Sequence, residues 1–313
     1  MTKLVVVIVS WNTVDLTRDC LRTLFTEIAP IDHEVWMVDN DSRDDSAAMV
    51  RREFPSVKLI QNRTNVGFAK ANNQILSQAE GEYYLLLNTD TIIPQDSIRK
   101  LIQFMDENPD AGAAGPKLKN ALGAAERGLK PLPTLGGEIR YCLASHFYPL
   151  NSIFQRMLAG SRNREESTLG SIEAEVLSAA CLIIRREVIK KVGLLAEDYF
   201  LFSEENDYFY RMKQAGFRGY YLPQIEVIHL IGMSRKKRQN FDSDLNFFKS
   251  RMLFFRKFHP GIMPLFKLNY YFFFVWSYTM AGLKGFLKRP PSEENYAELY
   301  CRLLGILRRG GRE

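Results

Sequence analysis

The first 120 residues of the chain alternate between two hydrophobic periods. "KLVVVIVSW" is an unbroken, mostly β-branched run, the pattern of a strand covered on both faces within a parallel sheet. The next segment, "VDLTRDCLRTLFTEI", returns apolar residues at helical spacing, namely Leu16, Cys20, Leu21, Leu24 and Phe25. The alternation continues with strand "HEVWMVDN", helix "DSAAMVRREF", strand "SVKLIQN" and helix "GFAKANNQILSQAEG", closed by Gly81. Strand "YYLLLNTD" and helix "PQDSIRKLIQFMDENP", with Pro94 near its first turn, complete the series. Strands separated by helices of about ten to fifteen residues predict right-handed βαβ crossovers and a doubly wound, mostly parallel α/β sheet.

Residues 119 to 170 break the rhythm. "NALGAAERGLKPLPTLGG" is rich in Gly and Pro and "AGSRNREEST" is polar, so this stretch reads as a binding loop or lid. Regular pattern returns in "IEAEVLSAACLIIRREVI", a strand leading into a short helix. "FSEENDYFYRMKQAGF" predicts a helix capped by Ser203, with Glu204 and Glu205 in its first turn and Gly216 at its end. "RGYYLPQIEVIHL" supplies two more short strands, and a basic, aromatic region follows.

Charge divides the chain. From Leu230 onward there are 16 Lys and Arg against 6 Asp and Glu, a balance of +10, which leaves −4 of the total +6 for the residues before it. A basic tail on a mildly acidic body suggests an anionic partner, either nucleic acid or a phospholipid surface. The tail's aromatics form one apolar block without interleaved cations, which argues against nucleic acid. The four cysteines stand far apart, so neither a zinc site nor a disulfide framework is indicated, as suits a reducing cytosol. The apolar run at the N-terminus is too short for a signal-peptide core, and a cytoplasmic protein is expected.

Candidate chemistry follows from where the polar residues fall. Asp39 and Asp90 end parallel strands on one edge of the predicted sheet, where open α/β sheets bind ligands. With Glu204, Glu205 and His229 they suggest a convergent site, and Asp with His suits a hard or borderline divalent cation, Mg²⁺ or Mn²⁺. Neither G-x-G-x-x-G nor the P-loop pattern occurs, so a phosphate-bearing substrate would be held mainly through metal. Each residue also has a plainer reading. A strand-end Asp is commonly a turn or cap, acids at a helix start are stabilising by themselves, and a lone His is often a bonded core residue.

The ordered set "VVVIVSWN", "MVDNDSRDDS", "NRTNVGFAKANN", "LLLNTDT" and "SAACLIIRREVI…EENDYFYRMKQAGFRGYYLPQIEVIHLIGMS" resembles the inverting family-2 glycosyltransferases with a GT-A fold, in their bacterial rhamnosyltransferase-like branch. The resemblance covers roughly residues 3 to 260. It implies that Ser10, Trp11 and Asn12 line the nucleotide and that Asp39 accepts the N3–H of a pyrimidine. Asn65, Gly67 and Asn72 would complete the donor pocket. "NTD" stands at the family's D-x-D motif, so Asn88 and Thr89 would flank the donor and Asp90 would bind the metal, with His229 a further ligand. Glu205 falls at the base position of the E-D-x-D motif, with Glu204 its rival. Asn88 replaces the motif's first Asp, and Glu205 is one methylene longer than the family's Asp. The resemblance further implies a dTDP- or UDP-sugar donor, dTDP-L-rhamnose above all, and a glycan or polyprenyl-diphosphate-linked acceptor in surface polysaccharide synthesis. On this reading residues 1–120 form the donor-binding half, 121–240 the acceptor-binding and catalytic half, and 241–313 a helical membrane-associating or oligomerisation region.

Two other classes fit parts of the pattern. A sugar nucleotidyltransferase would need a Gly- and Lys/Arg-rich loop after the first strand, which "SWNTVDLTR" does not offer. A silent nucleotide-sugar-binding assembly protein would keep Asp39 and Asp90 without a base. In the tail, "IMPLFKLNYYFFFVWSYTMAGLKGFLKRP" leaves only Tyr270 to Leu283 free of charge, short of the roughly 20 apolar residues that span a bilayer. A helix lying on a membrane surface, with Lys284, Lys288 and Arg289 towards phosphates, is one reading. A helix buried on the protein, or a homo-oligomer contact, is the other.

Overall fold

The computed structural model describes residues 2–126, 128–146, 170–230, 242–286 and 294–309. They fall into two compact units, Met1–Leu132 with Thr168–Gln239, and Pro133–Ser167 with Asn240–Glu313.

The first unit is built on a nine-stranded sheet. Strands β1 (Thr2–Ser10), β2 (His33–Asp39), β3 (Lys58–Gln61) and β4 (Gly81–Asn88) are parallel and carry helices α1 (Val14–Ile28), α2 (Ser46–Glu53) and α3 (Phe68–Leu76) between them. The unbroken apolar run of β1 is explained by packing on both faces. Leu4, Val6 and Ile8 join one core with Leu21 and Leu24, and Val5 and Val7 join another with Ala69 and Ile75. Helix α3 stops at Leu76, and Gly81 opens β4 instead of closing the helix as the sequence suggests.

Beyond β4 come β5 (Thr91–Ile92), α4 (Ser97–Glu107), β6 (Ala111–Lys119) and β7 (Leu129–Lys130). After the segment that belongs to the second unit, the chain adds β8 (Ile172–Ala174), β9 (Val176–Leu177), β10 (Cys181–Arg185), α6 (Arg186–Val192), α7 (Glu204–Gln214) and β11 (Arg218–His229). The sequence pattern merged β8, β9 and β10 into one strand. β10 inserts antiparallel between β4 and β6, so the sheet is mixed, in the order β3-β2-β1-β4-β10-β6-β11-β5 with β8 on β11. Residues 218–229 are one strand where the sequence reading has two. Pairing with β6 jumps from Leu222–Pro116 to Glu226–Lys117 and then resumes. Pro223 has no N–H to give to a ladder, so the strand bulges there without ending.

The second unit contains α5 (Leu135–His146), α8 (Asp242–Phe258), a 3₁₀ turn at Pro260–Ile262, α9 (Met263–Phe286) and α10 (Glu294–Arg308). Phe266, Tyr270 and Phe274, spaced i, i+4, i+8 on α9, are buried against Phe248 and Phe255 of α8, with ring centroids 4.9 Å apart for Phe248–Tyr270 and 4.7 Å for Phe255–Phe266. Tyr270 also donates its hydroxyl to buried Glu138 of α5, and Arg251 of α8 lies 3.3 Å from the same carboxylate. The segment after residue 132 is thus tied to the C-terminal helices, a grouping that consecutive sequence blocks do not capture. A different stripe of α9, Leu265, Leu268, Phe272 and Trp276, is exposed. No helix among the described residues is long and apolar enough to cross a membrane.

Candidate active site

The carboxyl ends of β1, β2, β4 and β11 lie on one edge of the sheet, and Ser10, Asp39, Asn88 and His229 stand there. Register fixes this, since Ser10 pairs with Asp39 and Val9 with Asn88. Asp39 is fully buried. Its Oδ2 accepts a long 3.4 Å bond from the Ser42 amide, while Oδ1 has no hydrogen-bond partner. Burial pushes its pKa above the usual carboxylate range. A buried acceptor without a donor is costly, and a ligand N–H would relieve it.

Around Asp39 the expected donor residues mostly hold the scaffold. Ser10 shares its hydroxyl with Thr13 and Thr17, and Thr13 bonds Thr89, making a buried hydroxyl cluster under the strand ends. Asn12, at φ +57, receives the Arg43 amide at 2.7 Å on its side-chain oxygen and gives its own amide to Ser42. Trp11, between these two, is partly buried. Asn40, absent from the sequence reading, bonds Asn65 and accepts from Asn62 and the Val66 amide. Asn72 is buried and donates to Phe68 within its own helix. Its neighbour Asn73 pins Leu195 and Glu197.

Gly67 joins this region to α7. At φ +87 and ψ 172 its backbone suits Gly almost exclusively, and a Cβ there would stand 2.6 Å from the Phe200 carbonyl. The same carbonyl accepts the Phe68 amide at 2.9 Å. Phe202 and Ser203 then take φ +69 and +65, two strained non-glycine residues in succession, and deliver Glu204 and Glu205 at the start of α7. Ser203 occupies the cap position with a left-handed backbone, makes no capping bond, and its buried Oγ has no hydrogen-bond partner.

The two glutamates differ. Glu204 is buried, its Oε2 has no hydrogen-bond partner, and burial followed by the charge of Glu205 raises its pKa well above normal. Glu205 is ion-paired with Lys130 of β7 at 3.6 Å. Asp207 of the same motif is fully buried and bridges to Arg211 at 2.6 Å, which fastens α7 to the Val192 and Leu194 carbonyls.

Asp90 and His229, 139 residues apart in sequence, meet at Oδ1–Nε2 3.2 Å. The short strand β5 makes this contact. Thr91 pairs with His229, Ile92 with Ile228, and the Leu230 amide bonds the Asp90 carbonyl at 2.8 Å. Burial alone would lower the His229 pKa, but hydrogen bonds and charge from Asp90 and then Glu126 outweigh it and raise the value. Glu126, absent from the sequence reading, touches the ring's other nitrogen at 2.9 Å. The donor set suits a divalent ion. Adjacent ligands of an octahedral cation, with bonds of about 2.0–2.1 Å, stand roughly 3 Å apart, close to the observed spacing. No cluster of three or more candidate ligands able to hold an ion occurs among the described residues, so phosphate oxygens or water would complete the shell.

Residues 5–193 match the model of glycosyl transferase family 2, well over half the chain, and the protein belongs to that family. It is 27% identical over 206 residues to the N-acetylglucosaminyl-diphospho-decaprenol L-rhamnosyltransferase of Mycobacterium tuberculosis, covering 62% of this chain and 66% of the relative. It is 26% identical over 220 residues to a dTDP-rhamnosyl transferase of Shigella flexneri, covering 68% of this chain and 64% of that one. The match thus spans just under two thirds of these relatives' length. The fold is of the GT-A type: a mannosyltransferase of Pyrobaculum calidifontis, solved with GDP-Man and Mn²⁺, superposes with TM-score 0.54 at 15% identity, over 99% of this chain and 85% of that one.

Proposed function

We propose that the protein is an inverting glycosyltransferase that moves a sugar from a nucleoside-diphosphate donor to a hydroxyl of a glycan or lipid-linked acceptor. The observation that carries this reading is the Asp90–His229 pair at the sheet edge that also holds Asp39, whose buried Oδ1 has no hydrogen-bond partner. Asp39 receives the pyrimidine N3–H. Asp90 and His229 would hold a divalent cation, Mg²⁺ or Mn²⁺, which when bound would supply Lewis-acid stabilisation of negative charge on the departing diphosphate. Glu205 removes the proton from the attacking acceptor oxygen, a contribution of about 10²–10⁴-fold for a placed base. Its pairing with Lys130 and partial exposure favour it over buried Glu204 for that task. The names of the mycobacterial and Shigella relatives support L-rhamnose as the sugar, dTDP as the carrier and a polyprenyl-diphosphate-linked acceptor.

The exposed α9 stripe, with Trp276 and Phe272 on it and a net basic sequence around it, suits the interface of an anionic membrane. Peripheral attachment on the cytoplasmic face follows, and substituting Phe272 and Trp276 by Ser should reduce sedimentation with phosphatidylglycerol vesicles. Unchanged sedimentation removes this part. The reaction itself is tested by incubating the protein with dTDP-, UDP- and GDP-sugars, with and without Mn²⁺, and reading the anomeric configuration of the product by NMR. Cation-dependent transfer from a pyrimidine donor with inversion is expected. Transfer with retention, or equal use of GDP-sugars, overturns it.

A further inference from the structure

Glu126 is the other half of the His229 environment. Its Oε2 lies 2.9 Å from Nδ1, its side chain is 10% exposed, and its Oε1 is buried without a hydrogen-bond partner. Backbone bonds set its place independently of the histidine. Asn120 closes a tight turn by accepting the Leu122 and Ala124 amides on its side chain, Lys119 bridges to Ala125, and the Glu126 amide bonds the Leu118 carbonyl at 2.8 Å. Leu118 is the partner of Val227 on β11, two residues before His229. The returning hairpin therefore lays Glu126 beside the end of β11, behind the ring and away from Asp90.

We propose that Glu126 is a positioning residue that holds the proton of His229 on Nδ1 and so presents Nε2 as a lone pair to the cation. The proposal rests on reading Asp90 and His229 as the pair that holds it. A neutral imidazole carries one proton, and an ionised carboxylate can only accept. The ring lies between two carboxylates that compete for that proton, Asp90 at Nε2 and Glu126 at Nδ1. If Glu126 takes it, Nε2 is open to a metal and the ring becomes a more basic ligand. If Asp90 takes it, the same 3.2 Å contact is an ordinary hydrogen bond and no lone pair is left. Glu126 decides which of the two the contact becomes.

The test is Mn²⁺ titration in the presence of dTDP, followed by the electron paramagnetic resonance signal of free Mn²⁺, on the full chain. Glu126→Ala should weaken Mn²⁺ binding about 10–100-fold. Glu126→Gln, nearly isosteric and still offering an oxygen to Nδ1–H, should recover part of the loss, and it carries the test should the Ala variant fail to fold. Combining Glu126→Ala with His229→Ala should weaken binding no further than His229→Ala alone. Without metal, at a pH where the ring is neutral, nitrogen-15 NMR should report Nδ1–H in the unaltered protein and a shift towards Nε2–H in Glu126→Ala. Unchanged Mn²⁺ affinity and tautomer in the Glu126 variants, while His229→Ala binds weakly, overturns the role of Glu126 alone. So does a double variant clearly weaker than His229→Ala. If His229→Ala binds Mn²⁺ as tightly as the unaltered protein, the metal reading falls and this inference with it.

Discussion

Replacing Gly67 with Ala should damage stability and turnover together. The added methyl would meet the Phe200 carbonyl at 2.6 Å, its Cδ2 at 3.0 Å and its Cα at 3.1 Å. Two of these are backbone atoms, so no side-chain rotation relieves the contact. Backbone strain at φ +87 adds about 1–3 kcal/mol, and forced overpacking contributes roughly another 1–3 kcal/mol. If Phe200 retreats, the bond from the Phe68 amide is lost as well, worth about 1 kcal/mol. A total of about 2–7 kcal/mol is a large part of a typical folding stability of about 5–15 kcal/mol. Because Phe200 leads directly into Phe202, Ser203 and Glu204, the displacement should also lower kcat by more than it raises the donor KM. Gly216→Ala is the control: it has φ +85 but nothing within 4 Å of the new methyl. It should cost only about 1–2 kcal/mol and leave turnover intact. Urea denaturation followed by tryptophan fluorescence, with steady-state transfer rates, reads both variants. Equal midpoints and equal rates for Gly67→Ala and Gly216→Ala would show that Phe200 does not set the position of α7.

Asp39→Ala should weaken dTDP binding by about 1.5–3 kcal/mol, roughly ten- to 150-fold, as expected for a hydrogen bond to a charged group, and calorimetry showing no loss would remove its base-reading role. Glu205→Gln should bind donor normally and stop transfer, whereas normal turnover would move the base to Glu204. Glu204 has a raised folded pKa, so the folded state holds its proton more tightly than the unfolded chain. Stability should therefore decline as pH rises from the ordinary carboxylate range, about pH 4, towards the raised value, and Glu204→Gln should abolish that decline. Denaturation midpoints across that window check it, and a flat profile for the unaltered protein contradicts it. Glu138→Ala should destabilise the helical unit by leaving Arg251 without its partner, by less than the about 3–5 kcal/mol of a fully buried pair because Arg251 stays 18% exposed. Far-ultraviolet circular dichroism on heating would show it.

The β1–β4 half of the fold and the strand-end positions of Asp39 and Asp90 are legible because they follow from local periods. A strand packed on both faces must be apolar throughout, and a carboxylate after it has few other places to be. What the sequence hides depends on register between distant segments. The two-residue strand β5 carries no pattern of its own, yet its pairing with β11 brings Asp90 to His229. Glu126 sits in "LGAAERG", where no period marks it, and owes its position to a backbone turn against β6. "RGYYLPQIEVIHL" reads as two strands because the local pattern does not show the pairing with β6 that carries β11 past Pro223. Ser203 has the right residue type for a cap, but strain from Phe202 onward fixes its backbone first.

The polypeptide leaves the sheet after Leu132, lends α5 to the helices, and comes back before departing for good near residue 240. A stop codon at that second departure would not release a tidy catalytic half. It would strand Glu138 and Cys142 without Tyr270, Arg251 and Asn269. Trimming the molecule to its sheet takes two excisions and a splice from Leu132 to the strand at Ile172.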